Sequence, residues 1–348
     1  TDAGTVPGKS RYTCGACGTV QDVLTTIKAT GKTGPMAQYA VQGYAPKLDA
    51  EGAAYGGRFF APAGAAIARQ FDAAAAEWEK RKDTDLAAYW PRSELPYGFM
   101  THMNNGGIPN HGFTHWWTMF NPRQLLVHAQ LLKAIVEVGD HDWTTREFVL
   151  GVFQQYLRNQ SMFSFWHLKL DKLAPALSNS NFHPKAGVVE VGVFSPMGYG
   201  PWSSTLDVLL RAGTWLADPW ELASTSHLSK LAPSISAALS GNSEKVLTGD
   251  RVRGGNVVQA SSTDLTSSVA DASHDLVVTD PPFGGLLHYS ELSDFFHVWL
   301  RLVLKDRYPT AFGPEYTPKA LEAVANRARE PENPDAFYQR LLTQCWRE

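Results

Sequence analysis

Apolar residues settle into a helical rhythm first in the middle of the chain. After Asn121, residues Leu125, Leu126, Ala129, Leu132 and Val136 recur at three- and four-residue spacings, and Pro122 is tolerated in a first helical turn, so a helix is expected there. A second helix is expected over Thr145–Asn159, burying the face of Phe148, Val152 and Tyr156. Upstream, Ala65–Arg81 reads as an Ala-rich helix running into the charged stretch Glu77–Asp85. Between these lies Thr101–His115, whose Gly and Asn content favours turns. Residues 160–240 mix aromatic loops, a β-branched run (Val188–Phe194) and a helix starting near Trp202.

The rhythm changes after the turn-like Ser240-Gly241-Asn242-Ser243. Asn256-Val257-Val258-Gln259 and Asp275-Leu276-Val277-Val278-Thr279 have the composition of short buried strands, and a helix follows from about Ser290 to Leu304. Strands alternating with helices predict an α/β sheet whose ligands bind beyond the strands' carboxyl ends. Three segments result: a polar, Gly-rich 1–33, a helical and irregular 34–240, and an α/β subdomain over 241–348.

Composition narrows the class only slightly. The chain has 348 residues, 44% hydrophobic and 19% charged, which fits a globular protein and excludes wholesale disorder. No apolar run is long enough for a membrane span, and Thr1-Asp2-Ala3-Gly4-Thr5 has no signal-peptide layout. Three cysteines cannot build a disulfide framework, so a reducing, cytoplasmic setting is expected. A net charge of −3 neither supports nor excludes nucleic-acid binding, because affinity comes from local Lys and Arg clusters. The chain opens without Met and closes at Gln344-Cys345-Trp346-Arg347-Glu348, in a helical pattern with no stop signal, and is read as an internal piece of a longer protein.

The sharpest chemical signal is Asp280-Pro281-Pro282-Phe283, directly after the expected strand Asp275–Thr279. Two prolines stiffen the backbone, fixing a carboxylate and an aromatic ring at the sheet's edge. An exocyclic amine attacking a methyl sulfonium first needs acceptors on its N–H groups, because its lone pair is delocalised into the base. The Asp280 side chain and the Pro281 carbonyl supply two such acceptors, Pro282 stiffens the turn, and Phe283 offers a stacking face to a base rotated out of its duplex. The bland alternative is a Pro-Pro turn that merely ends a strand.

The flanks extend this signal. Thr279–Phe283, then His288-Tyr289-Ser290-Glu291-Leu292-Ser293-Asp294-Phe295-Phe296 and Val298-Trp299-Leu300-Arg301, resemble the adenine-specific DNA methylases that carry a zinc ribbon. Trp117-Thr118-Met119-Phe120-Asn121-Pro122-Arg123-Gln124-Leu125, Asp171–Asn179 and Asn181-Phe182-His183-Pro184-Lys185 look like the same family. The resemblance implies a Rossmann-like methyltransferase fold, S-adenosylmethionine as methyl donor, adenine N6 of DNA as target, and a setting in restriction-modification or phage defence, with other subunits as partners. Phe283 departs from the commoner Tyr, which keeps the stacking face and drops the hydroxyl.

The cofactor site is less defined. The family's glycine-rich loop is not found in the chain, and its natural place would precede Thr1. Gly198-Tyr199-Gly200, between the β-branched run and the helix at Trp202, is a weak substitute and is read mainly as a structural turn. Asp264 and Ser262, in Ser261-Ser262-Thr263-Asp264, are candidate cofactor contacts, though the same four residues also make an ordinary helix N-cap.

Cys14 and Cys17, in Cys14-Gly15-Ala16-Cys17-Gly18, have the spacing of one zinc knuckle, or equally of a redox or incidental pair. The resemblance favours zinc and a partial ribbon lacking its first knuckle, with the site incomplete in this chain. His102, His111 and His115 are read as solvent-facing or aromatic-packed, and Trp116-Trp117 as core. Lys245, Arg251 and Arg253 are candidate phosphate contacts whose default is a solvated surface. Methyl transfer to cytosine N4, to RNA or to a protein amine is an alternative activity, and a non-catalytic DNA-binding subunit is an alternative class.

Overall fold

The helices form where apolar spacing and capping chemistry agree. A computed structural model describes residues 11–348 except 35, 53–55, 139–141, 168, 170–171, 178–181, 183–186, 197, 199, 219, 223–242 and 246–257. In chain order the elements are β1 (Arg11–Thr13), β2 (Val20–Asp22), α1 (Val23–Thr30), β3 (Ala40–Tyr44), α2 (Pro46–Ala50), β4 (Arg58–Pro62) and α3 (Ala65–Arg81). Then come α4 (Pro122–Val138), α5 (Trp143–Leu157), β5 (Phe165–His167), β6 (Lys172–Ala174), α6 (Trp202–Ala217), β7 (Trp220–Leu222) and β8 (Ser243–Lys245). The last helices are α7 (Tyr289–Leu304), the short α8 (Pro309–Phe312) and α9 (Pro334–Arg347).

Asn121 caps α4 reciprocally with Gln124: the Asn121 N–H donates to Gln124 Oε1 at 3.0 Å, and the Gln124 N–H to Asn121 Oδ1 at 2.9 Å. Of the expected stripe of α4, Leu125, Leu126, Ala129 and Leu132 are buried, while Val136 is half-buried and Ile135 takes its place in the core. On α5 the buried face differs from the expected one. Val152 and Tyr156 are buried, but Phe148 is exposed, and Leu150, Phe153 and Leu157 complete the stripe. Three residues spaced by four drift across a helix of 3.6 residues per turn, so Phe148 falls off the face that Val152 and Tyr156 share with Phe153.

The core is aromatic and draws on both sides of residue 240. Trp299 on α7 is fully buried, with ring centroids 5.4 Å from Phe120, 5.9 Å from His128 and 5.9 Å from Phe153. Phe295, one turn earlier, stacks on Phe120 and meets Trp116 and Phe182. Packing thus crosses the division drawn between the middle and C-terminal segments. Its cause is the strong apolar stripe of α7, which has to be covered and finds α4, α5 and the loop at 116–120. A bidentate ion pair braces the same region: Arg123 grips Glu190 at 2.8 and 2.9 Å, and Glu190 also accepts from the Asn121 amide at 2.9 Å.

Among the described residues the strands pair only as two-stranded antiparallel ribbons: β1 with β2, β3 with β4, β5 with β6 and β7 with β8. The parallel sheet expected for 241–348 has no pair in this set. Residues 275–279 form no strand, and Leu276, Val277 and Val278 are 77%, 78% and 83% exposed. A strand needs a neighbour for its N–H and C=O groups. The one expected beside it, Asn256–Gln259, has Asn256 and Val257 outside the described residues and no ladder at Val258 and Gln259. Val188, in the β-branched run, makes a single bridge to Phe165. Among the described residues no helix is long and apolar enough to cross a membrane.

Candidate functional site

Residues 280–283 have no regular structure and lead into a turn at Gly284–Gly285 ahead of α7, and hydrogen bonds hold this stretch at three places. The Tyr338 hydroxyl on α9 donates to the Pro282 carbonyl at 2.8 Å. The Ala325 amide donates to the Gly284 carbonyl at 3.1 Å, and the Leu286 amide closes back on the Phe283 carbonyl at 3.2 Å. Two glycines make this path feasible. Gly284 has φ of 57°, in the left-handed region, and a Cβ on Gly285 would lie 2.8 Å from the Ala325 carbonyl oxygen. The expected donor-gripping elements are therefore accessible: Asp280 is exposed, and Phe283 is 64% exposed. Among the described residues no hydrogen bond or ion pair occupies the Asp280 carboxylate, leaving both oxygens available to an incoming amine.

Behind the turn, α7 carries a row of polar groups on a helix that is otherwise apolar. Ser290 donates twice to Glu322, from its N–H at 2.8 Å and its hydroxyl at 2.6 Å, and Arg329 pairs with the same carboxylate at 2.8 Å. Glu322 thus supplies negative charge at the amino end of α7, where the helix dipole favours it. Asp294 is fully buried, accepts from the Thr317 N–H at 2.8 Å and hydroxyl at 2.7 Å, and pairs with Lys319 at 2.8 Å. His297 and Arg301 reach the Pro314 carbonyl at 3.0 and 3.1 Å. The polar letters of this motif stretch therefore tie down the loop 313–329.

Glu291 points the other way. It is 2% exposed and accepts from the Phe99 N–H at 3.2 Å, the Met100 N–H at 2.7 Å and the Asn326 side-chain amide at 2.6 Å. Phe99–Met103 is a π-helical turn, a geometry found often at functional sites. The His288 ring stacks on Phe99 at 4.5 Å, and its burial lowers the imidazole's affinity for a proton. His288 and Glu291 belong to the resembling stretch, but the sequence assigns them no role and does not link them to Phe99 and Met100. The available signal was an acid in the apolar stretch after the turn, together with the Gly98 that lets backbone approach it.

Asp264 and Ser262 do not assemble a cofactor cradle among the described residues. Asp264 is exposed, and its Oδ1 accepts from the Thr266 N–H at 3.3 Å and hydroxyl at 2.6 Å, which lowers its pKa. Ser262 is exposed in the same tight turn, closed by a bridge between Ser261 and Asp264. This is the capping geometry that the same four residues allow. Gly200 is structural: a Cβ there would lie 2.7 Å from Asn159, and its carbonyl accepts from Gln160 at 2.9 Å. Tyr199 lies outside the described residues.

Cys14 and Cys17 sit on the hairpin between β1 and β2, closed by the Cys14 N–H to Thr19 carbonyl bond at 2.9 Å and the Gly18 N–H to Cys14 carbonyl bond at 2.9 Å. Hydrogen bonding by Thr19, and then by Cys14, lowers the Cys17 pKa, which suits a metal-binding thiolate. Among the described residues no third His, Cys, Asp or Glu joins them, so a tetrahedral zinc site is not complete there. His102 lies against Tyr97 and His115 against Trp117, while Trp116 is in the core. Arg251 and Arg253 lie outside the described residues, as do Asp171, Ser178 and Asn179 of one resembling stretch and Asn181 and His183–Lys185 of another. Phe182 of that stretch is buried against Trp116.

Compared with protein-family models, with curated proteins and with solved structures, the chain matches none.

Proposed function

We propose that this chain carries the amine-orienting half of a DNA adenine-N6 methyltransferase of Rossmann-like fold, using S-adenosylmethionine and acting on a flipped base in a cytoplasmic modification or defence system. The observation that carries the reading is the Asp280–Phe283 turn: a free carboxylate and an exposed aromatic ring on a backbone stiffened by two prolines and braced from behind. In this reading the Asp280 carboxylate and the Pro281 carbonyl accept the two N–H groups of the target amine, which localises its lone pair on nitrogen. Phe283 stacks on the extruded base, whose unstacking it partly offsets. The amine attacks first and loses its proton afterwards, so no strong general base is required. In this reading Asp264 and Ser262, both exposed, are the candidate contacts to the methyl donor on this chain.

The test is transfer of labelled methyl from S-adenosylmethionine to unmethylated DNA, by the chain alone and with any segment its gene encodes upstream. The DNA hydrolysate separates N6-methyladenine from N4-methylcytosine. Label in N6-methyladenine supports the proposal, and label in N4-methylcytosine, RNA or protein assigns the turn to another amine. DNA binding with no transfer to any acceptor would refute the enzyme reading in favour of a DNA-binding subunit.

A further inference from the structure

A carboxylate inside a protein is costly unless donors satisfy it, and Glu291 is satisfied by neutral N–H groups from two distant segments. Two come from the π-helical turn Phe99–Met103, almost two hundred residues away in the chain. The third comes from Asn326, whose neighbour Ala325 donates its own N–H to Gly284 at the end of the Asp280–Phe283 turn. Glu291 is thus the node through which the turn and the segment 97–103 are held in one register. The fit is close: a Cβ on Gly98 would lie 2.6 Å from the Glu291 carboxylate, which would have to shift to make room. Tyr97, just before Gly98, is 68% exposed, and its ring centroid lies 5.1 Å from that of His102 on the π-turn.

Packing alone does not call for a charge here. A buried carboxylate held by directional bonds is a poor source of stability compared with an apolar side chain of the same volume, but it fixes geometry. We propose that Glu291 is a positioning residue: it holds the Asp280–Phe283 stretch in register with the 97–103 segment, and so keeps the acceptors of the target amine in place. The proposal rests on the methyltransferase reading of that turn.

The test compares wild type with Glu291→Gln, Asn326→Ala and the double variant Glu291→Gln/Asn326→Asp, all as the full chain with any upstream segment. The single change Glu291→Gln turns an amide group toward N–H donors and breaks the match. In the double variant that amide donates to the carboxylate introduced at position 326, which still accepts from the Ala328 N–H as Asn326 does at 2.9 Å. Methyl transfer to DNA and hydrogen exchange at the Phe99, Met100 and Ala325 amides are read together. Glu291→Gln is expected to lower kcat on the order of a hundredfold, the scale of a misplacement of about 1 Å, with KM for S-adenosylmethionine unchanged. Exchange at the three amides should rise together, and the double variant should recover kcat and the exchange at Met100 and Ala325 in large part, while Phe99, whose acceptor Oε1 is replaced by the amide nitrogen, stays faster.

An unchanged kcat with faster exchange would overturn the proposal and leave Glu291 a structural residue only. A double variant no better than the single one would also overturn it. If Glu291→Gln does not fold, Asn326→Ala carries the same test, because it removes the Asn326 bond to Glu291, and the bond from the Ala328 N–H with it, while leaving the Phe99 and Met100 bonds in place. No transfer by the wild type would instead refute the methyltransferase reading, and this proposal with it.

Discussion

His128 gives the molecule an acid-sensitive core. It sits on α4 with no exposed surface, its Nε2 2.9 Å from the Gln160 carbonyl and its Nδ1 3.1 Å from the Tyr156 hydroxyl. Burial pushes its pKa from 6.5 down to about 4, outweighing the opposite effect of the Gln160 carbonyl. The folded state therefore keeps the imidazole neutral, while the unfolded chain takes up a proton as the pH falls below 6.5. Stability is complete above that value, declines between 6.5 and about 4, and does not decline further below it on this account. With these two pKa values the loss is about 2 kcal/mol at pH 5 and approaches ~3 kcal/mol at pH 4. The assay is urea unfolding at about pH 7.5 and about pH 5 for wild type and His128→Gln, pH values on either side of the unfolded-state pKa. The amide introduced by that change can still donate to the Gln160 carbonyl but does not titrate. Carboxylates with lowered pKa, such as Asp85 and Asp142, lose their contribution at lower pH in both proteins and cancel in the comparison. The wild type should lose about 2 kcal/mol more than the variant between the two pH values. Equal losses would refute the reasoning.

Three further outcomes follow from the packing around α7 and the turn. Trp299→Ala should cost about 3–5 kcal/mol in denaturant unfolding, because it empties the centre of the aromatic cluster formed with Phe120, His128 and Phe153; a cost below about 1 kcal/mol would contradict that placement. Tyr338→Phe removes the hydroxyl that donates to Pro282 at 2.8 Å, and should cost about 1 kcal/mol or less in stability while slowing methyl transfer through a looser turn. Phe283→Ala should leave the melting temperature unchanged, since the ring is mostly exposed, and should weaken engagement of a flipped base by about 1–3 kcal/mol, read by 2-aminopurine fluorescence at the target position.

Much of the helical architecture could be read directly. Ala65–Arg81, the start at Pro122 and the start at Trp202 coincide with apolar spacing and Gly or Pro punctuation, because local propensity and burial agree at those places. Phe148 shows where such reading fails: a face chosen at a spacing of four alone drifts off a helix that is covered by neighbours on one side. The expected strand at 275–279 shows a different limit. Its composition suits burial between neighbours, but a ladder depends on another segment's backbone, which local sequence does not specify. In the candidate site, the Asp280–Phe283 turn was visible as a motif because proline stiffness is local. Glu291 was not, because its meaning lies in N–H groups almost two hundred residues away.

The most direct test of the central claim is Asp280→Ala in the methyl-transfer assay on unmethylated DNA, with a parallel melt to verify the fold. Asp280 is exposed, and among the described residues no hydrogen bond or ion pair depends on its side chain, so stability should stay within about 0.5 kcal/mol of wild type. The account predicts that N6-methyladenine formation nevertheless falls by a factor on the order of a thousand, as expected when a preorganised acceptor of the reacting group is removed. A variant that melts like wild type and methylates DNA at the wild-type rate would contradict the assignment of the turn as the site of chemistry.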